Sequence, residues 1–130
     1  MLKTIKTLFR KSDDRETLYT PKDIQVKFAL FYRNLEIGTL SLNNGLWTFQ
    51  YSEDFKKQEK IKPLTDFPDI NKVYDFEELH PFFVSRIPGI NQPRVKEIIN
   101  AEHIDQNNEV ELLKRFGKRT ISNPFILETV

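Results

Sequence analysis

The chain has 130 residues, of which 38% are hydrophobic, 12% aromatic and 30% charged. That balance belongs to a globular domain and excludes a disordered or low-complexity chain. Twenty basic against nineteen acidic side chains leave a formal charge of +1, so no chain-wide field draws a polyanion and a nucleic-acid contact would need a local patch. The absence of cysteine excludes disulfides, thiolate metal sites and cysteine nucleophiles, and fits a reducing compartment such as the cytoplasm. No apolar run reaches the roughly 18 residues that a membrane span needs, and the first residues lack the apolar centre of a secretory signal.

Residues 1 to 23 read as a flexible basic arm outside the folded unit, which is expected to occupy residues 24 to 130. Leu2, Ile5, Leu8 and Phe9 make only a brief helical stripe, and Lys3, Lys6, Arg10 and Lys11 solvate it. In "IQVKFALFY", Ile24, Val26, Phe28, Leu30 and Tyr32 alternate with their neighbours in the period-two pattern of a half-buried strand. Arg33 and Asn34 turn the chain into "LEIGTLSL", and Asn43, Asn44 and Gly45 turn it again into "LWTFQY". Asn-Gly tolerates the positive φ angles of tight hairpins, so a three-stranded antiparallel meander is expected.

Pro63 and Pro68 then exclude a regular central strand. In "DFEELHPFFVSRI", Asp75 and Glu78 have capping-box spacing, and Leu79, Phe82, Phe83 and Ile87 share a helical face; Pro81 either distorts the first turn or begins the regular helix itself. A second short helix starts at Pro93, with Val95, Ile98 and Ile99 on one side. The third is capped by Asn108 and Glu111, turns Val110, Leu113 and Phe116 inward, and is expected to end at a left-handed Gly117. "RTISNPFILETV" returns as a final strand that Pro124 restricts to an edge. The expected fold is therefore α+β, a small antiparallel sheet packed with about three short helices.

Catalytic chemistry finds little support. The four glycines never cluster into a phosphate-cradling loop, and Pro68 stands in "TDFPD" where a magnesium-binding Asp-Phe-Gly motif has glycine, so Asp66 is not read as a ligand. His80 and His103 lack metal-ligand spacing and read as surface or helix-end residues. The adjacent pairs Glu77 and Glu78, and Asp13 and Asp14, point apart and read as helix-start or solvated charges; Ser41, Ser52 and Ser85 sit in no nucleophile motif. No catalytic residue, cofactor or metal is expected.

Two binding features remain. "KRFGKR" gathers Lys114, Arg115, Lys118 and Arg119 at a helix end, where they would contact phosphates or complement the helix dipole. Trp47, Phe49 and Tyr51 lie on one side of the third strand; Phe49 reads as core, while Trp47 beside the turn and Tyr51 at the far end are expected to be partly exposed and to anchor a protein interface.

The ordered set Ile37-Gly38-Thr39-Leu40, then Phe49, Tyr51 and Phe55, then Phe82, Phe83, Arg86, Ile87 and Pro88, resembles the amino-terminal subdomain of HipA-type toxin kinases over about residues 24 to 130. Arg86 stands where that family usually has an apolar residue, and "GKRTISN" replaces a "GxDxxG" segment, retaining only Gly117. HipA proteins continue from this subdomain into a kinase domain, so their ATP, magnesium and catalytic residues are not carried over. The likeness extends to the free-standing, HipS-like small subunits of three-part HipBST toxin–antitoxin systems. It implies a non-catalytic antitoxin that binds and restrains a separate HipA-like (HipT-type) serine/threonine kinase. A helix-turn-helix HipB-like protein would supply DNA contact, so this chain would meet DNA only indirectly. The alternative is a DNA-associated adaptor acting through "KRFGKR" in a transcription-repressing complex.

Overall fold

The period-two pattern after Ile24 forms β1 (Val26–Tyr32), β2 (Leu35–Asn43) and β3 (Leu46–Tyr51), the expected meander. The computed structural model describes residues 18–130, and the reading of residues 1 to 17 as an arm lies outside them. A two-residue turn joins β2 to β3, with Asn44 at φ 52° and Gly45 at φ 79°. These positive angles suit Asn-Gly and match the twist of the strands. In the first turn Arg33 takes φ 55°. The register slips between Leu30 and Phe31, which pair with Gly38 and Glu36, leaving Ile37 as the extra residue of a bulge. Gly38 follows it because a Cβ there would meet the Gln50 carbonyl at 2.5 Å.

Two edge strands complete a five-stranded antiparallel sheet of order β4-β3-β2-β1-β5. β5 (Ile126–Thr129) follows Pro124 on the edge beside β1, as the proline required. β4 (Tyr74–Phe76) pairs with β3 and corrects the sequence reading, which opened a helix at Asp75. Asp75 instead accepts a hydrogen bond from the Thr48 hydroxyl across the ladder at 2.9 Å.

The helices are short: α1 (Glu53–Lys56), α2 (Pro81–Val84), α3 (Pro93–Ala101) and α4 (Glu109–Phe116). The first was not anticipated. Ser52 caps it, accepting from the Phe55 amide at 3.0 Å. α2 begins at Pro81, the second of the two expected starts, and His80 is its cap, Nδ1 accepting from the Phe82 amide at 3.0 Å. Asn108 caps α4 as expected, accepting from the amides of Val110 and Glu111, but the Glu111 carboxylate accepts from the Asn108 side-chain amide, while the Asn108 backbone amide donates to the Asp105 carbonyl instead of closing a capping box. Gly117 corrects another expectation: its φ is −84°, not left-handed. Glycine is needed there because a Cβ would sit 2.5 Å from the Leu113 carbonyl.

Phe28, Leu30, Leu40, Leu42, Trp47, Phe49, Tyr51 and Leu127 form the inner side of the sheet, all buried, while Lys27, Gln50 and Glu128 alternate with them and are exposed. The proline-containing segment after α1 supplies much of the cover. Its Phe67 packs on Phe49 at 4.7 Å between ring centres, on His80 at 4.8 Å and on Tyr74 at 5.1 Å. Phe55 stacks on Tyr51 at 4.8 Å, and Phe83 of α2 reaches Phe49 at 5.8 Å.

Residues 18 to 22 belong to this packed unit. Tyr19 forms a parallel bridge with Asn108, its amide donating to the Asn107 carbonyl at 2.8 Å and its own carbonyl accepting from Glu109 at 3.1 Å. Pro21 is buried. The boundary expected between residues 23 and 24 thus falls inside the folded structure.

Candidate partner surface

Trp47 and Tyr51, expected as partly exposed interface rings, are core. Trp47 has no exposed surface and Tyr51 only 3%. The turn beside Trp47 does not open its ring to solvent, and at the ring edge Thr20 accepts from the indole N–H at 3.0 Å. The Tyr51 hydroxyl donates to the Phe67 carbonyl and accepts from the Leu64 amide at 2.9 Å, so it holds the covering segment in place. Burial pushes this phenol up to about 12. Neither side chain offers a partner any surface in this conformation.

The four cations of "KRFGKR" are all exposed but differ in their commitments. Arg115 makes a forked contact with Glu102, Nε donating to Oε1 at 2.8 Å and the second bond at 3.1 Å, which joins α4 to the end of α3. That hydrogen bonding raises Arg115 and holds Glu102 below its usual value. Lys118 lies 3.7 Å from Glu128 of β5. Lys114 and Arg119 form no ion pair among the described residues. Among the described residues, Arg115 and Lys118 are thus committed to carboxylates and Lys114 and Arg119 are not.

Arg86 is the residue whose role the sequence concealed. It is 3% exposed, yet its fork holds the segment that follows α4: one terminal nitrogen donates to the carbonyls of Gly117 at 3.0 Å and Lys118 at 3.2 Å, the other to Asn123 Oδ1 and the Phe125 carbonyl, both at 3.0 Å. Nε has no hydrogen-bond partner among the described residues, and burial pushes the guanidinium down to about 10. Neutral oxygens alone receive these bonds, so the side chain serves as a staple for irregular backbone. The clues in the sequence were two separate departures from the resembled family, Arg86 where an apolar residue is usual and the altered "GKRTISN".

Beside this segment an open groove of about 340 Å³ is lined by Phe31, Arg33, Lys118, Arg119, Ile126 and Glu128. Only Lys118 and Arg119 of these belong to the predicted cation cluster; the others come from β1, the first turn and β5, distant in the chain. Among the described residues no group of three or more metal-ligating side chains could hold an ion, and no helix is long and apolar enough to cross a membrane.

The five-stranded antiparallel sheet with its short helices defines a small α+β domain. Residues 28–122 match the family model described as the HipA N-terminal domain, and the chain belongs to that family. The comparison with curated proteins finds no match.

Proposed function

We propose that this chain is a non-catalytic antitoxin subunit that binds and restrains a separate HipA-like serine/threonine kinase of the HipT type. Family membership over residues 28–122 carries this reading. A helix-turn-helix HipB-like protein completes the assembly and makes its DNA contacts. In a single chain, a short linker holds such a subdomain against its kinase at an effective concentration of about millimolar. A separate subunit lacks that help and restrains by direct affinity, so restraint depends on its concentration.

The test is to mix the purified chain with the HipA-like kinase of the same genome and measure mass by light scattering after gel filtration. A stable complex is expected; separate elution at micromolar concentrations would refute the reading. A second arm addresses the adaptor alternative. Neutralising Lys114, Arg115, Lys118 and Arg119 leaves operator binding by the assembled complex nearly unchanged on this reading. A marked loss with a smaller salt slope would transfer the function to DNA contact.

A further inference from the structure

The segment from Gly117 to Phe125 is built to hold one shape. Besides the Arg86 fork, the Leu127 amide donates to the Lys118 carbonyl at 2.9 Å, the Phe125 amide to Asn123 Oδ1 at 3.1 Å, and the Ser122 amide to Thr120 Oγ1 at 3.3 Å. Thr120 and Asn123 pair as a bridge across the bend, and between them Ile121 stands fully in solvent, at 107% of its reference exposure. A lone exposed isoleucine is ordinary. This one sits on a fixed bend, and its β-branched side chain has little rotamer freedom to lose on docking. Two residues before it stands Arg119, which lines the groove together with the half-buried rings and chains of Phe31 and Ile126.

The geometry points to the Ile121 bend and the adjoining Arg33–Arg119 groove as the surface that docks the partner kinase, through a segment of that kinase bearing carboxylates beside an apolar hollow. This rests on the proposed kinase reading and adds to it the place and the chemistry of contact. Charge complementarity selects the occupant: Arg33, Lys118 and Arg119 outnumber the one carboxylate of the groove, Glu128, which Lys118 already meets at 3.7 Å, and Phe31 and Ile126 add apolar surface beside them. Phosphate backbone fits less well, since Phe31, Ile126 and Ile121 offer it nothing and Glu128 repels it, while Arg115 is already forked onto Glu102. A kinase segment with both carboxylates and an apolar contact satisfies both halves of the surface, and the preformed bend limits the entropy lost on binding.

Calorimetry with the full chain and the purified HipA-like kinase of the same genome, at low and high salt, tests this. Ile121→Asp is expected to weaken binding at least about tenfold, with Ile121→Ser intermediate. Arg119→Glu weakens it several-fold and flattens its salt dependence. Lys96→Glu, a matched reversal on the exposed side of α3, leaves it unchanged. Circular dichroism of each variant reports retained folding, which the exposure of all three positions favours. Folded Ile121 and Arg119 variants that bind like wild type would overturn the surface assignment while the kinase reading stood. No binding by the wild-type chain would overturn both. Salt-sensitive binding to a random-sequence duplex, lost in Arg119→Glu while kinase binding persists, would reassign the groove to nucleic acid.

Discussion

The Trp47 indole donates to Thr20 Oγ1 at 3.0 Å, and the Thr20 hydroxyl in turn donates a hydrogen bond to the largely buried Glu109 carboxylate. This pair joins the segment before β1 to the centre of the sheet and to the start of α4. Thr20→Val keeps the shape but leaves a buried indole N–H unmet, and should cost about 1–3 kcal/mol in chemical denaturation. A chain beginning at residue 24 should melt below one beginning at residue 18; equal melting would show the pairing to be inconsequential. Trp47→Ala, which empties a fully buried site, should cost roughly 3–5 kcal/mol and remove much of the domain's stability.

Arg86→Leu exchanges the fork for an apolar side chain and strands the acceptors at Gly117, Lys118, Asn123 and Phe125. A loss of about 3 kcal/mol is expected, with Arg86→Lys recovering only part because an ammonium cannot reach in two directions. Hydrogen exchange should quicken at the Phe125 and Leu127 amides. Unchanged protection there would show that Arg86 does not hold the segment.

His80 is desolvated between Phe67 and Phe76, which lowers its pKa from the ordinary 6.5; nearby Asp66 opposes this weakly. Its Nδ1 must stay unprotonated to accept from Phe82. The unfolded chain takes up a proton first, so the stability from this cap is present above pH 6.5 and is lost as pH falls through the lower folded value. Urea midpoints across that range should fall with acid, and His80→Asn, which caps without titrating, should flatten the dependence. An NMR titration midpoint at or above 6.5 would contradict this account.

Tyr51 works in the opposite range. Its folded pKa, about 12, lies above the ordinary 10, so its contribution is complete below pH 10 and is lost as pH rises toward 12. Ultraviolet titration should show the Tyr51 phenol ionising late, together with unfolding. Tyr51→Phe removes the bonds to Leu64 and Phe67, costs about 1–2 kcal/mol at neutral pH, and should abolish that late phase.

Alternation and turn residues made the meander and the Pro124 edge legible, since both follow from rules acting over a few residues. β4 was not, because "YDFEEL" carries a capping spacing at Asp75 that pairing with β3 overrides. Trp47 was misplaced for a related reason: proximity to a turn says nothing about Thr20, which meets the indole N–H from 27 positions away. Arg86 was visible as an anomaly but not as a staple, because its acceptors are backbone carbonyls and an amide that have no sequence signature.

The most direct test of the central claim is to titrate this chain into the HipA-like kinase of the same genome and follow ATP-dependent phosphorylation. Phosphorylation should fall in a saturable manner as the subunit approaches the kinase concentration, and should recover when the complex is diluted below its dissociation constant. Activity that stays constant at a large excess of the folded chain would contradict restraint by association.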